Sequence, residues 1–217
     1  MSALPKNLPL RMMLLLACLL ATGPLSAADS LLTDMALVRA LRTGGFNIYF
    51  RHVATDWSQS DDVRRVDDWR SCDPLRMRQL SSAGRATARA IGEAMRQLDI
   101  PVDEVLASPY CRTVETAELM GLGKVIESMQ VMNLRSADYV GGRASVVASA
   151  QALLASAPGA AVNRVIIAHG NVAREATPAY PGEGEALVFE PDVAGGFVLR
   201  GRIAVGDWSR LVKMTNR

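Results

Sequence analysis

The amino-acid sequence points to an α/β protein, a three-layer α/β/α sandwich built on a largely parallel sheet with an antiparallel edge. Three observations carry that reading. Short runs rich in aromatic and β-branched residues, Phe46 to Phe50, Val102 to Ala107 and Arg164 to Ala168, alternate with longer stretches of helical periodicity. A last pair of such runs, Glu185 to Phe189 and Gly196 to Ile203, follow one another with no helix between them, which closes a sheet antiparallel. With 217 residues, 49% of them apolar, the chain holds enough for one core and too little for two ordinary domains. No repeat, linker or low-complexity tract divides it.

The N-terminal stretch has a basic start (Lys6, Arg11), an apolar run from Met12 to Leu20, and small residues ending at Ser26-Ala27-Ala28. That order reads as a secretory signal peptide over 1–28, cut after Ala28, followed by one domain over 29–217. The run is shorter than the roughly 20 residues a membrane-spanning helix needs, so no stable membrane anchor is expected once it is removed. Leu15-Leu16-Ala17-Cys18 also resembles a lipoprotein signal, but a lipid-bearing Cys18 would leave an apolar Leu-Leu-Ala on the mature side. Cleavage takes Lys6 and Arg11 from 24 basic residues and leaves 22 against 22 acidic ones. A general nucleic-acid or anionic-membrane surface is therefore not expected. Cleavage also removes Cys18, leaving Cys72 and Cys111 either as one disulfide or as two buried free thiols.

Leu31 to Leu41 has helical spacing and stops before Gly44-Gly45, and the strand Phe46 to Phe50 follows. Val53 to Gln79 is polar and irregular around Trp57 and Trp69, a long loop of the kind that more often serves function than idles. Ser81 or Ser82 caps a helix over 83–98, with Ala86, Ala90, Ile91, Ala94 and Leu98 facing inward, and Pro101 lies just past its end. The strand Val102 to Ala107 leads through the turn Ser108-Pro109 into a helix from Cys111 to Leu119. A further helix runs from Ala144 to Ala157 between Gly141-Gly142 and Pro158-Gly159. The strand Arg164 to Ala168 and the closing pair complete the pattern.

The two histidines of the chain, His52 and His169, each stand immediately beyond an apolar strand, and ligands of open α/β sheets gather at such strand ends. Arg51 and His52 point to opposite faces of a straight strand, so both reach one site only where the strand gives way to a loop, as Val53-Ala54-Thr55-Asp56 provides. Ser108-Pro109-Tyr110-Cys111-Arg112-Thr113 is a third strand end, turning into a helix whose first N–H groups, with Arg112 in the first turn, suit a phosphate.

At these residues the chain resembles the histidine phosphatase superfamily, the phosphoglycerate-mutase-like group. Arg51-His52-Val53-Ala54-Thr55-Asp56-Trp57-Ser58 is similar to its RHGxTxWN signature, Leu80-Ser81-Ser82-Ala83-Gly84 to its LTxxG helix start, Ser108 to Thr113 to its SPxxRxxxT segment, and His169-Gly170-Asn171 to its second-histidine motif. Val53 stands where the group has glycine, and Ser58 where it often has asparagine. The HG pair at His169-Gly170 places the chain nearer the first branch of the superfamily than the phytase-containing second branch, which carries HD there.

The resemblance implies the histidine phosphatase fold and a nucleophilic His52 that takes the phosphoryl group. Arg51, Arg112 and His169 would hold that group's oxygens, with Ser58 a further phosphate contact. Neutral imidazole, with an ordinary pKa of about 6.5, suits this chemistry unaided. No metal or other cofactor is expected, because no cluster has metal-ligand spacing. The proton for the leaving group has three candidate donors: Glu183 and Glu185, in a glycine-flanked turn after the second histidine, are favoured over Asp138. The expected partner is a small phosphorylated substrate, a sugar phosphate such as the heptose phosphate of lipopolysaccharide core, met in the periplasm or outside the cell. A phosphohistidine protein phosphatase is the alternative enzyme, and a catalytically silent phosphate-binding protein the alternative of another class.

Overall fold

Residues 31–216 are described by a computed structural model, so the expected signal segment 1–28, with Cys18, lies outside the described residues. The first helix, α1 (Asp34–Thr43), buries Leu37, Val38 and Leu41, and ends where Gly44 takes a φ of 78°. β1 (Asn47–Arg51) follows, then the long loop, α2 (Ser82–Gln97), β2 (Val102–Ala107), α3 (Cys111–Met120), β3 (Val125–Glu127), α4 (Arg143–Ala155), β4 (Asn163–Ala168), α5 (Gly170–Ala176), β5 (Ala186–Pro191), β6 (Phe197–Ile203) and α6 (Asp207–Thr215). Ser81 is the N-cap of α2, its hydroxyl accepting from the Gly84 N–H at 3.0 Å.

The six strands lie in the order β3-β2-β4-β1-β5-β6. The first four are parallel, while β5 runs antiparallel to β1, and β6 antiparallel to β5. Alternation along β1 sends Ile48 and Phe50 into one apolar layer, with α1, α2, α3 and α6, and Tyr49 into the other, with α4 and α5. Both faces are thus covered, which is why the strand reads as a continuous apolar run.

The sequence pattern did not disclose β3, the short helices α5 and α6, or the 3-10 turns at Asp68–Arg70, Met129–Val131 and Leu134–Tyr139. The expected loop over 53–79 proves to be a pinched one. Thr55 and Leu80 form an antiparallel bridge at its neck, and the Asp56 N–H donates to the Gln79 carbonyl at 3.0 Å. Inside it Trp69 is fully buried, and the Asp68 carboxylate accepts the Arg64 and Arg65 N–H groups. A disulfide joins Cys72 to Cys111, with Cα atoms 5.4 Å apart, so the loop is also tied to the first residue of α3 and the free-thiol alternative does not hold.

Candidate active site

β2, β4 and β1 are neighbours, so Ser108, His169 and His52, each the residue after its strand, emerge side by side. Arg51 pairs with Ala168 in register, and the two histidines stand one residue further along. Their rings meet edge to face with centroids 5.7 Å apart. Together with Arg51, Asp61, Arg78 and Arg112 they line a cleft of about 240 Å³.

His52 is buried, and its Nδ1 lies 2.9 Å from the Val53 carbonyl. A carbonyl only accepts, so Nδ1 carries the proton and Nε2 keeps its lone pair. Burial, then the charge on Arg112, push the imidazole well below its ordinary pKa, which keeps it neutral and nucleophilic. The same causes in the same order act on His169, with His52 itself adding to them. Tyr49 fixes the backbone of His169, its hydroxyl donating to the carbonyl at 2.7 Å and accepting the N–H at 3.2 Å. Ser108 Oγ meets His169 Nε2 at 2.9 Å; with the hydroxyl donating, Nδ1 bears the proton and is left with no partner.

Arg112 enters from the first turn of α3 and is buried. Both terminal amino groups are taken by Asp61, at 2.8 and 3.0 Å, a bidentate pair whose side chains are 2% and 4% exposed. Its Nε–H has no partner. The guanidinium lies over the Tyr110 ring at 4.6 Å. Arg78 stacks on Trp57 at 4.0 Å, and its Nε is likewise buried without a partner. Of the six unpartnered buried side-chain atoms among the described residues, four line this cleft: Arg78 Nε, Arg112 Nε, His169 Nδ1 and Asn171 Oδ1. Native structures rarely leave such atoms unsatisfied, and three nitrogens converging beside a neutral imidazole constitute a receptor for anionic oxygens.

Arg51 reaches Tyr180, the Pro181 carbonyl and Glu183 Oε1, each at 3.4 Å. Glu183 also accepts from Thr55 at 3.1 Å. The turn holding it is pinned by Gly184, at φ 77°, whose N–H faces the carbonyls of Arg51 and His52, 3.1 Å from each. Glu185 faces away from the cleft toward Arg202, at 2.7 Å, and Asp138 is exposed on the 3-10 turn 134–139. Ser58 lies outside the cleft as well, its hydroxyl donating to Asp56 at 2.7 Å. The arrangement therefore assembles Arg51, His52, Arg112 and His169, sets Glu183 beside Arg51, and leaves Ser58, Glu185 and Asp138 elsewhere.

Sequence reasoning missed Asp61, Arg78, Ser108 as a histidine partner, and Tyr49. Tyr49 had a legible signal, since a tyrosine alternating with apolar residues in a buried strand must find a partner for its hydroxyl. Asp61 and Arg78 had none, because their positions depend on how the loop folds back.

Residues 48–141 match the family model described as Histidine phosphatase superfamily (branch 1). No curated protein sequence matches the chain. Among solved structures it is similar to the protein histidine phosphatase SixA complexed with tungstate, at 16% identity and a TM-score of 0.52 over 75% of this chain and 98% of that one. It is also similar to a putative phosphohistidine phosphatase SixA from Agrobacterium tumefaciens, at 14% identity and a TM-score of 0.49 over 74% of this chain and 98% of that one. A phosphoserine phosphatase mutant from Entamoeba histolytica, in complex with phosphoserine, is similar at 15% identity and a TM-score of 0.49 over 74% and 97%. The likeness to the tungstate complex, at 16% identity, is one of fold. The matched stretch runs from β1 through the Arg112 turn to the 3-10 turn at 134–139, and over it the chain is similar to the histidine phosphatase superfamily, in its first branch.

Proposed function

We propose that the protein is a phosphatase that hydrolyses phosphomonoesters through a phosphohistidine on His52. The observation that carries this is the neutral His52, with Nδ1 committed to Val53 and Nε2 free, set in a cleft whose buried nitrogens have no other partner. Nε2 attacks phosphorus, the bond from phosphorus to the ester oxygen breaks, and the alcohol leaves with a proton. Water then attacks the phosphohistidine, releasing inorganic phosphate and returning the imidazole. Arg51, Arg112 and His169 meet the charge that develops on the transferring oxygens, donors each worth about 3–4 kcal/mol in the transition state. Glu183 is the proton donor of this scheme: Oε1 is held by Thr55 and Arg51, while Oε2 makes no hydrogen bond among the described residues.

The test is turnover and trapping. The wild type hydrolyses an aryl phosphate, and His52→Ala retains less than about a tenth of that activity. Acid-labile, base-stable label remains on His52 after quenching with acid; label on serine or aspartate overturns the mechanism.

A second reading, a phosphohistidine phosphatase, is favoured by one feature. Asp61, a carboxylate lining the cleft, is fully engaged by Arg112, and the nitrogen of a phosphoramidate leaves with less help from an acid than an alkoxide does. The protein's location belongs to the same proposal: an exported phosphatase acting on sugar phosphates, the heptose phosphate of lipopolysaccharide core among them. The basic, apolar and small-residue order of the first 28 residues and the Cys72–Cys111 disulfide support export.

A further inference from the structure

The cleft carries more positive charge than one phosphoryl group needs. Arg51, Arg78, Arg112, Arg135 and Arg174 line it. Asp61 neutralises Arg112, Glu183 neutralises Arg51, and both histidines are held neutral, so three positive charges stay unbalanced. A phosphomonoester dianion offsets two of them. The described arginines that make no ion pair are Arg39, Arg42, Arg78, Arg89, Arg135 and Arg174, and half of these line this one cleft in a chain whose formal charge is only +2.

Their placement divides them. Arg78 and Arg112 leave buried Nε groups without partners, as the transferring oxygens require. Arg135 and Arg174 are exposed and stand on different elements, the 3-10 turn Leu134–Tyr139 and α5. Arg174 lies over Tyr180 at 4.4 Å, which steadies it without using its N–H donors. Asn171, also on α5, lines the same cleft, tied to Asn133 at 2.9 Å with its buried Oδ1 unpartnered.

We infer that Arg135 and Arg174 form a second anion subsite, so that the preferred substrate is a phosphomonoester bearing a further carboxylate or phosphate group. The substrate claim rests on the phosphatase reading above; the subsite itself is a claim about binding. A sugar monophosphate without a second charge leaves Arg135 and Arg174 with water alone, whereas a second anion gains charge-assisted hydrogen bonds from them.

Ligands that cannot be hydrolysed separate the two claims. Calorimetric titration of the purified protein compares methylphosphonate with methylenediphosphonate and with phosphonates carrying a carboxylate one, two or three carbons away. The tightest doubly anionic ligand is expected to bind about tenfold or more tightly than methylphosphonate, a difference of about 1.4 kcal/mol. Arg135→Gln combined with Arg174→Gln, both at exposed positions where substitution spares the fold, brings that ratio to within about twofold. A ratio near one in the wild type, or an unchanged ratio in the double variant, overturns the subsite. Failure of the phosphatase reading registers separately, as absence of aryl phosphate turnover. Matched turnover of glucose 6-phosphate, glucose 1,6-bisphosphate and 6-phosphogluconate then tells a second phosphate from a carboxylate.

Discussion

Asp61 and Arg112 show how a buried pair can set which donor an arginine presents to a cleft. The carboxylate grips both terminal amino groups and so turns the remaining N–H, on Nε, into the unpartnered donor of the cleft. Taking one partner from a pair this buried costs about 3–5 kcal/mol, because the other charge is left without compensation. Asp61→Asn is therefore expected to lower stability by roughly that amount and to free Arg112 for anions. Inorganic phosphate or tungstate should raise the melting temperature of Asp61→Asn by more than it raises that of the wild type, in a thermal scan with and without the anion. Equal shifts would mean that Asp61 does not compete for Arg112. Arg112→Ala, by contrast, should lower kcat/KM by about 10²-fold or more, since it removes the donor itself. Glu183→Gln should cost much more with alkyl phosphates than with aryl phosphates, whose leaving groups need no acid. Equal losses on both substrate types would deny Glu183 that part.

The loop between β1 and α2 brings Trp57, Asp61 and Arg78 to the cleft, and its fold depends on contacts distant in sequence. The neck bridge pairs Thr55 with Leu80, the Arg78 N–H donates to Asp61, and the disulfide joins positions 39 residues apart. None of this follows from local periodicity, so the sequence could mark the stretch as a working loop without assigning it a shape. β3 spans only 3 residues and α5 only 7, too short for a period to register. The histidines were legible for the opposite reason, since each adjoins a strand whose apolar run is unmistakable. In the chain-entropy account, closing a loop of this length contributes about 4 kcal/mol. Cys72→Ser with Cys111→Ser should accordingly lower the melting temperature by about 10 °C, a shift that a reductant reproduces in the wild type. An unchanged melting temperature would mean that the neck and the buried Trp69 already hold the loop.

Two neutral imidazoles buried beside arginines tie the stability of the protein to pH. The sequence indicated that sheet strands bring the histidines out at equivalent ends, but strand order, and with it the arginine field around both rings, is set by tertiary packing. In the unfolded chain each histidine takes up a proton near pH 6.5, whereas burial and Arg112 hold the folded pKa of both well below that. Below pH 6.5 the unfolded state thus binds more protons than the folded one, and stability falls as pH falls, by about 1.4 kcal/mol per pH unit for each histidine. The carboxylates with lowered pKa, Asp56, Asp68 and Glu93, titrate below their ordinary values of 3.8 to 4.5, so the interval from about 4.5 to 6.5 belongs to the histidines. Urea denaturation at pH 7.5 and 5.5 should differ by roughly 3 kcal/mol in the wild type. His52→Gln or His169→Gln should each remove about half of that difference, whatever the variant does to absolute stability. A wild type equally stable at both pH values would mean that the imidazoles titrate in the fold as they do in the unfolded chain, so that burial and Arg112 would not be what keeps His52 neutral.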